Sequence, residues 1–376
     1  MMQPGEESVT GDATLDAQDM VTEILLRLPP VSVLRCRAVC KAWHRIATDP
    51  SFLAAHADRR PAQLLVGSKS KPSFLDTIPL SLQLQVDDLS QLHCPKQCEV
   101  SDLLGCCDGL LLFQESLHRS FCGSVLFVCN PVTRQAARLD LRPPSCPGFI
   151  RLCGFYRHAP SGELRLLVLA NEPQPAGSAA HYVYSLAADD ADASKQHPRR
   201  LGPVADGLDL ALDQFAYFIN HYAHHRGKIH WTIHPLARST QKILAFDTVS
   251  EDFRLMSRPA DHCCNEYLCL LELDSRLAVT APGLHGGSTE LWVLEDYDDD
   301  QSWSHRFRIV LPPRFSRPDW CTATGVPNVV FVSRYPTLYH LTDKRIVKEI
   351  QLENDKSVYC YIFKDSLVPH AFLNPY

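Results

Sequence analysis

The chain contains 376 residues, of which 45% are hydrophobic and 21% charged, a balance that is ordinary for a globular protein with a sizeable core. Its length leaves room for more than one domain of ~100–200 residues. The formal net charge of −6 argues against broad binding to nucleic acids or anionic membranes, and no apolar stretch approaches the ~20 residues of a membrane-spanning helix.

Residues 1–14 show no periodic pattern and are predicted to form a disordered tail. They include Glu6, Glu7 and Asp12 rather than a basic start followed by an apolar run, so no secretory signal peptide is indicated. The chain has fifteen cysteines, an odd number. Together these features predict reduced thiols in a protein of the cytoplasm or nucleus.

Residues 15–58 are predicted to form four short helices. Asp16 is expected to cap the first helix, which is predicted over Ala17–Leu28 and is followed by two prolines that stop it. Ser32 is expected to cap the second helix, and the third carries Trp43. Asp49 followed by proline marks the start of the fourth helix.

This helical segment carries more large apolar groups than so small a unit can bury against itself. Domains near or below ~40 residues usually need a partner or a neighbouring domain. The surplus side chains therefore either pack on the chain's own second domain or form an interface for another protein. These residues are Leu15, Ile24, Leu25, Leu28, Leu34, Val39 and Trp43.

The order and spacing of residues 15–56 resemble the F-box, and this resemblance favours the interface. The matching stretches are 23–29 (EILLRLP), 34–35 (LR), 37–43 (RAVCKAW) and 49–52 (DPSF). The family usually opens with Leu-Pro, whereas this chain has Leu15-Asp16. Proline there would fix the entry turn, so Asp16 is expected to weaken the contact with the F-box's adaptor. The resemblance implies docking on a Skp-type adaptor and, through it, on cullin. The implied adaptor contacts are Leu15, Ile24, Leu25, Leu28, Pro29, Leu34, Val39 and Trp43.

Residues 61–365 are predicted to be an all-β, antiparallel domain. Short runs rich in Val, Ile, Leu, Phe and Tyr alternate with Gly, Pro, Asp and Asn, at typical strand lengths. A weak repeat joins a strand after Gly109 to a turn at Asn130, and a strand after Gly227 to a turn at Asp247. The Asn and Asp side chains are expected to fix these turns. Such spacing predicts the stacked blades of a β-propeller, with a two-sheet sandwich as the alternative.

The same region resembles the F-box-associated β domain of plant F-box proteins, a kelch-like propeller relative. The matching pieces are 107–111, 129–134, 154–156, 227–231, 246–248, 290–297 and 302–303. Residues 366–376 are predicted to be a C-terminal tail. The fold class expected for the whole chain is α+β in segregated domains, a small helical F-box followed by a propeller-like domain.

No catalytic motif is found, and neither a cofactor nor a metal site is predicted. The sequence lacks a Gly-x-Ser-x-Gly elbow, a phosphate-binding glycine loop and a His-Glu-x-x-His motif. A loop that mixes arginine with aromatic residues has the composition of a binding hot spot. That loop and a histidine-rich loop are the predicted substrate-binding segments. Their residues are Arg314, Phe315, Arg317 and Trp320, with His224 and His225.

These observations favour a non-catalytic substrate receptor of a Skp–cullin–F-box ubiquitin ligase. In this hypothesis the F-box docks the adaptor and the β domain binds a target protein for ubiquitination. The alternative is a propeller that binds a sugar or another ligand independently of ubiquitin. A propeller hydrolase would need convergent carboxylates, which the sequence does not show.

Overall fold

The computed structural model divides into two compact units. One unit comprises Met1–Arg60 with Asp365–Val368, and the other comprises Pro61–Lys364 with Pro369–Tyr376. The structure describes residues 17–68, 74–79, 90–94, 101–115, 124–141, 150–171, 179–186, 198–202, 222–232, 242–259, 268–283, 288–310, 321–332, 337–350 and 358–375. The predicted tail 1–14, Leu15 and the predicted cap Asp16 lie outside these ranges.

The first unit is helical. Its helices are α1 (Ala17–Arg27), α2 (Pro30–Cys36), α3 (Lys41–Thr48) and α4 (Pro50–Arg59). The Asp49 carboxylate accepts hydrogen bonds from the backbone N–H groups of Ser51 at 2.9 Å and Phe52 at 3.3 Å, so the predicted cap of α4 is confirmed. None of the described helices is long and apolar enough to cross a membrane.

The prediction that Ser32 caps the second helix is wrong. Helix α2 begins two residues earlier, at Pro30, and Pro29 occupies the cap position without a side-chain hydrogen bond. Proline suits the first helical position because its φ is already close to helical and its missing N–H would have no partner there. Ser32 therefore lies inside the first turn.

The interior of the helical unit is a small apolar cluster joined by one buried histidine. Leu25, Val33, Ala47 and other apolar side chains are buried, as is His56. The Nε2 of His56 contacts the carbonyl oxygen of Leu28 at 3.0 Å and joins α4 to the end of α1. Burial lowers the pKa of His56, so its neutral form is the one favoured inside the unit.

The second unit is a six-bladed β-propeller, which excludes the sandwich alternative. Its strands run as six antiparallel sheets, all but the second with four strands in the described residues. Sheet one contains β1 (Gln63–Ser68), β2 (Phe74–Pro79), β3 (Ser90–His93) and β24 (Val358–Phe363); sheet two contains β4 (Ser101–Cys107), β5 (Leu110–Glu115), β6 (Ser124–Asn130), β7 (Gln135–Leu141) and β25 (Asn374–Pro375); sheet three contains β8 (Ile150–His158), β9 (Glu163–Asn171), β10 (Ala179–Ser185) and β11 (Arg199–Arg200). Sheet four contains β12 (Ala223–His225), β13 (Lys228–Thr232), β14 (Lys242–Asp247) and β15 (Phe253–Ser257); sheet five contains β16 (Cys269–Leu273), β17 (Arg276–Pro282), β18 (Ser288–Leu294) and β19 (Trp303–Val310); sheet six contains β20 (Cys321–Ala323), β21 (Val329–Val332), β22 (Thr337–His340) and β23 (Arg345–Glu349).

Apolar packing closes these sheets into a ring. Every pair of neighbouring sheets shares one apolar cluster, and sheets six and one share the last. In β1, Leu64 and Val66 face sheet six, whereas Leu65 faces sheet two. Because both faces of such a strand are covered, its sequence is a continuous apolar run rather than an alternating one.

Sheet one joins the first strand of the propeller to a strand from much later in the sequence. Strand β24 pairs with β1 in antiparallel register, with Leu65 opposite Tyr361. It is the innermost strand of a sheet whose other strands come from the start of the domain. Farther on, β25 pairs with β7 at the outer edge of sheet two, within the segment predicted as a tail.

The repeated turns have the predicted side-chain chemistry. The Oδ1 of Asn130 accepts from the N–H of Val132 at 2.9 Å, and the Oδ1 of Asp247 accepts from the N–H of Val249 at 2.8 Å. The fifth residue of each turn, Arg134 or Glu251, has a positive φ of 55° or 59°. The predicted Asn and Asp turns are therefore confirmed. In each turn, the positive φ directs the side chain of the fifth residue away from the two strands that the turn joins.

Candidate functional site

The helical unit exposes large apolar side chains. Met20 is 53% exposed, Ile24 51%, Val31 52% and Val39 63%. These four residues are called the exposed apolar set below. Met20 and Ile24 are one helical turn apart and so lie on the same face of α1. Exposed aliphatic groups of this size on a small helical unit are typical of a protein-binding surface.

The predicted adaptor residues divide between surface and interior. Ile24, Pro29 and Val39 are exposed, and Leu28, Leu34 and Trp43 are half-buried. Leu25 is completely buried and offers no surface in this structure. Its burial follows from the position next to Ile24, because consecutive helical residues point about 100° apart.

Polar contacts fix the helices that carry the exposed apolar set. The Arg59 guanidinium donates to the Glu23 carboxylate at 3.0 and 3.1 Å, which joins α4 to α1 and lowers the pKa of Glu23. The Arg37 guanidinium donates to the carbonyl oxygen of Ala47 at 2.9 and 3.1 Å, which joins the end of α2 to α3. The Arg37 side chain therefore stabilises the helical unit, whereas Arg35 and Lys41 are exposed cations.

The propeller contains a cavity of about 450 Å³ on its axis, called the channel cavity. Its described lining comes mainly from the innermost strands of five sheets (β4, β12, β16, β20 and β24) and from the turns after β16 and β20. Each of these strands pairs on one side only in the described sheets. Alternate backbone N–H and C=O groups on their free edges therefore point towards the axis.

Two cysteine thiols form one wall of the channel cavity. The Sγ of Cys106 in β4 donates to the carbonyl oxygen of Ile362 in β24 at 3.1 Å, across the junction of sheets one and two. Burial raises the pKa of Cys106 to about 12, and burial also raises that of Cys360. Both thiols are protonated at neutral pH and poorly nucleophilic.

A tyrosine without a hydrogen-bond partner lies beside these thiols. The hydroxyl oxygen of Tyr222 is buried and has no partner among the described residues. Burial raises the pKa of this phenol, so it stays protonated. A Cβ atom at Gly105 would overlap the same hydroxyl, so the close approach of Tyr222 to β4 requires glycine there.

Histidine and carboxylate groups form the opposite wall. The ring of His224 is exposed in the cavity, 5.3 Å from that of Tyr222. Desolvation by the surrounding protein lowers the pKa of His224 to about 4 against the opposing effect of Glu272. His225 is buried, and its Nδ1 lies 3.3 Å from a carboxylate oxygen of Glu272. Glu272 and Asp274 line the cavity, and its described lining contains no lysine or arginine.

The prediction that His224 and His225 lie in a loop is wrong, because both belong to strand β12. Their positions still bring them to this cavity, since His224 lines it and His225 contacts one of its carboxylates. The predicted arginine-aromatic loop, with Arg314, Phe315, Arg317 and Trp320, lies outside the described residues. Sequence reasoning missed Cys106, Tyr222 and Glu272. They come from three different sheets, and no local spacing connects them. Among the described residues, no group of three or more His, Cys, Asp or Glu side chains is placed to hold a metal ion.

Comparisons with known families agree with this architecture. Residues 18–54 match the F-box domain, and residues 73–370 match the F-box associated beta propeller domain. The second match alone covers far more than half of the chain.

Individual relatives from Arabidopsis thaliana match this chain over different lengths. F-box protein CPR1 of Arabidopsis thaliana is 24% identical over 321 residues, which cover 78% of this chain and 73% of that protein. F-box protein At4g22390 of the same plant is 22% identical, over 81% of this chain and 77% of that protein. F-box protein At3g17710, also from Arabidopsis thaliana, is 32% identical over 36% of this chain, and the match spans only 34% of that relative.

Proposed function

Because the chain belongs to the plant F-box proteins that carry an F-box associated beta propeller domain, we propose that it is the substrate receptor of a Skp–cullin–F-box ubiquitin ligase. The helical unit binds the Skp-type adaptor and, through it, cullin. The propeller binds a target protein. The receptor works in the cytoplasm or nucleus, where the other subunits of such a ligase and reduced thiols are found.

The chain itself forms no bond to ubiquitin in this proposal. It holds the target close to a charged ubiquitin-conjugating enzyme, so that a target lysine meets the reactive carbonyl repeatedly. Holding two reactants in a suitable geometry can lower a barrier by several kcal/mol without any catalytic group on the holder. The protonated thiols Cys106 and Cys360 suit this passive role.

The observation that carries the proposal is the exposed apolar set on a matched F-box. Burying one exposed aliphatic side chain fully against a partner stabilises a complex by ~1.5–3 kcal/mol. Ile24 and Val39 belong both to this set and to the residues that the F-box resemblance implies. Met20, which is exposed one helical turn before Ile24 on α1, takes the place of the buried Leu25 in the proposed contact.

The test is co-purification of the full chain with a Skp-type adaptor. Ile24→Asp combined with Val39→Asp should reduce adaptor recovery at least 100-fold, because two exposed aliphatic groups are replaced by charges that need water. The unfolding temperature of the propeller should not change. Val249→Asp is the matched control, since Val249 is 50% exposed on a propeller turn. Adaptor recovery by the double variant at the wild-type level would refute the proposal.

A second candidate function is supported by the channel cavity. In this alternative the propeller binds a small ligand or a sugar, and the F-box serves an assembly that does not transfer ubiquitin. The presence of cullin separates the two functions. A complex purified from plant cells should contain cullin together with the adaptor if the chain is a ligase receptor, and adaptor without cullin would favour the alternative.

A further inference from the structure

We propose that the channel cavity receives an arginine side chain of the target protein, with the Glu272 carboxylate as its counter-ion. This inference rests on the proposed receptor function and adds the chemical class that the receptor recognises. It is carried by the charge, the unused hydrogen-bonding groups and the shape of the cavity.

The charge of the cavity selects a cation. The described lining contains two carboxylates, those of Glu272 and Asp274, and no lysine or arginine to balance their charge. The ring of His224 is exposed in the cavity, but desolvation by the surrounding protein lowers its pKa to about 4, so it contributes no compensating charge at physiological pH. The Glu272 carboxylate is still 41% exposed, so it is accessible to a ligand although His225 contacts one of its oxygens.

Unused hydrogen-bonding groups favour a ligand with several donors. The Tyr222 hydroxyl has no partner among the described residues, and an unsatisfied buried polar group costs about 1–3 kcal/mol, which a donor that reaches this oxygen would recover. The inner edges of β16, β20 and β24 add backbone carbonyl oxygens around the axis. Each carbonyl oxygen has two lone pairs, so those of Ile362 and Cys321, which accept from thiols, can accept a second hydrogen bond. A guanidinium presents five N–H donors and no acceptor, which matches one carboxylate, one hydroxyl and several carbonyls.

Shape and aromatic content favour arginine over a compact cation. Leu270, Val326 and Ile362 offer apolar wall to an aliphatic stem. The rings of Tyr222 and His224 lie in the same cavity, and a planar guanidinium stacks on aromatic faces. The volume of about 450 Å³ lies within the ~300–1,000 Å³ of ligand pockets in general and can hold one long side chain.

The position of the cavity allows access by another protein. Three lining residues, Asp274, Ser275 and Gly325, belong to turns at the ends of strands and are exposed. The Oδ1 of Asp274 accepts a hydrogen bond from the N–H of Asn328 at 3.3 Å, which joins the turns after β16 and β20. A peptide that lies over these turns can extend one side chain along the axis.

The test is a peptide-binding experiment with the full chain in complex with its adaptor. A library of random immobilised octapeptides should show enrichment of arginine at one position, and a fluorescent member should then be titrated in solution. Glu272→Gln should weaken binding of that peptide by 10- to 100-fold, because the charge is lost while the shape of the side chain is kept. Glu295→Gln is the matched control, since Glu295 pairs with Arg276 and Arg306 outside the cavity and should leave binding unchanged.

A second variant covers the case in which Glu272→Gln does not fold. Asp274 has a φ of +49°, a conformation that asparagine adopts readily, so Asp274→Asn removes a charge at little structural cost. It should weaken the same peptide several-fold. Absence of any preference for arginine, a preference that survives both variants, or binding of free amines without binding of peptides would each overturn the inference.

The adaptor assay keeps this outcome separate from the proposed function. Glu272→Gln should co-purify with the adaptor as the wild type does, because Glu272 lies in the propeller unit. Loss of arginine selection with intact adaptor binding would leave the receptor function in place. Absence of adaptor binding by the wild-type chain would refute the receptor function, whatever peptides the propeller selects.

Discussion

At the scale of single residues, the propeller contains several polar groups placed where water cannot satisfy them. The Tyr222 hydroxyl has no partner in the part of the chain that the structure describes, and it approaches β4 so closely that residue 105 has no room for a Cβ atom. His230 is buried between the carbonyl oxygen of Ala223 at 3.2 Å and the hydroxyl of Tyr297 at 2.7 Å. Each arrangement has a measurable effect on stability.

The contact between Gly105 and Tyr222 can be measured with a double-mutant cycle. Gly105→Ala should lower the free energy of unfolding by about 1–3 kcal/mol, as overpacking does. Tyr222→Phe should be neutral or stabilising, because it removes an unpaired hydroxyl. The double variant should lose less free energy of unfolding than Gly105→Ala alone, because the hydroxyl oxygen that overlaps the new Cβ atom is absent. Additive effects in urea denaturation would show that the two residues do not meet.

Buried neutral histidines should make the fold sensitive to acid. Burial lowers the pKa of His230 and of His181 to about 3. In the unfolded chain a histidine titrates near ~6.5, so the unfolded state binds more protons as the pH falls below that value, and stability declines until about pH 3. From pH 7.5 to 5.5 each histidine should contribute a loss of about 1.4 kcal/mol.

Urea denaturation at these two pH values measures this loss. His230→Gln should reduce the difference in unfolding free energy by about 1.4 kcal/mol, because glutamine does not titrate. A variant whose loss between the two pH values equals that of the wild type would contradict the assignment of His230 as a buried neutral group.

At the scale of elements, the repeated turns show what a local pattern can predict. Asn130 and Asp247 were predicted to fix turns from their side-chain chemistry alone, and their oxygens do so within 2.8–3.1 Å. The predicted strand runs lie in strands, because their length and composition are local properties. The Ser32 cap failed because two competing start signals, serine and proline, lie within one helical turn, and the proline begins the helix.

One turn residue ties two sheets together. The carboxylate of Glu251, in the turn after β14, accepts from the hydroxyl of Tyr156 at 2.6 Å and from the Arg165 guanidinium at 2.8 Å, both in sheet three. Arg199 also pairs with it. The Glu251 side chain is only 6% exposed, so its charge is compensated by these partners rather than by water.

Glu251→Gln should therefore lower the free energy of unfolding by about 1–3 kcal/mol, because the hydroxyl of Tyr156 and the Arg165 guanidinium lose a charged acceptor, while Arg165 keeps Glu163 at 2.7 Å as a counter-charge. Glu295→Gln provides the comparison, because Glu295 pairs with two arginines that are each 49% exposed, and it should cost less than ~1 kcal/mol. Equal losses for the two variants in chemical denaturation would show that the contacts of Glu251 do not stabilise the junction of sheets three and four.

At the scale of the whole molecule, closure of the ring depends on pairing that no local pattern reveals. The sequence indicated a propeller by its repeats, but not the number of blades, because the innermost strand of sheet one comes from residues 358–363 and pairs with residues 63–68. The channel cavity was missed for the same reason, since its lining comes from strands far apart in sequence. The F-box was recognisable because its helices are contiguous.

Removing the closing strand should abolish the fold of the propeller. A chain that ends at Ile350 lacks β24 and with it Phe363, which is buried between sheets one and two. It should unfold without a cooperative transition and be digested rapidly by a protease. A chain that ends at Val368 keeps β24 and loses only β25, so it should melt cooperatively at a somewhat lower temperature. A cooperative melt of the shorter chain would contradict closure by β24.

The late position of β24 also has a consequence for protein synthesis. A ribosome makes ~5–20 residues per second from the N-terminus onwards. The F-box helices therefore emerge before the propeller, and sheet one is complete only after residues 358–363 have been translated. A premature stop codon anywhere before residue 358 would yield a nascent product whose adaptor-binding end is finished and whose receptor end is open. Such products would compete with the full-length protein for the adaptor while presenting no target.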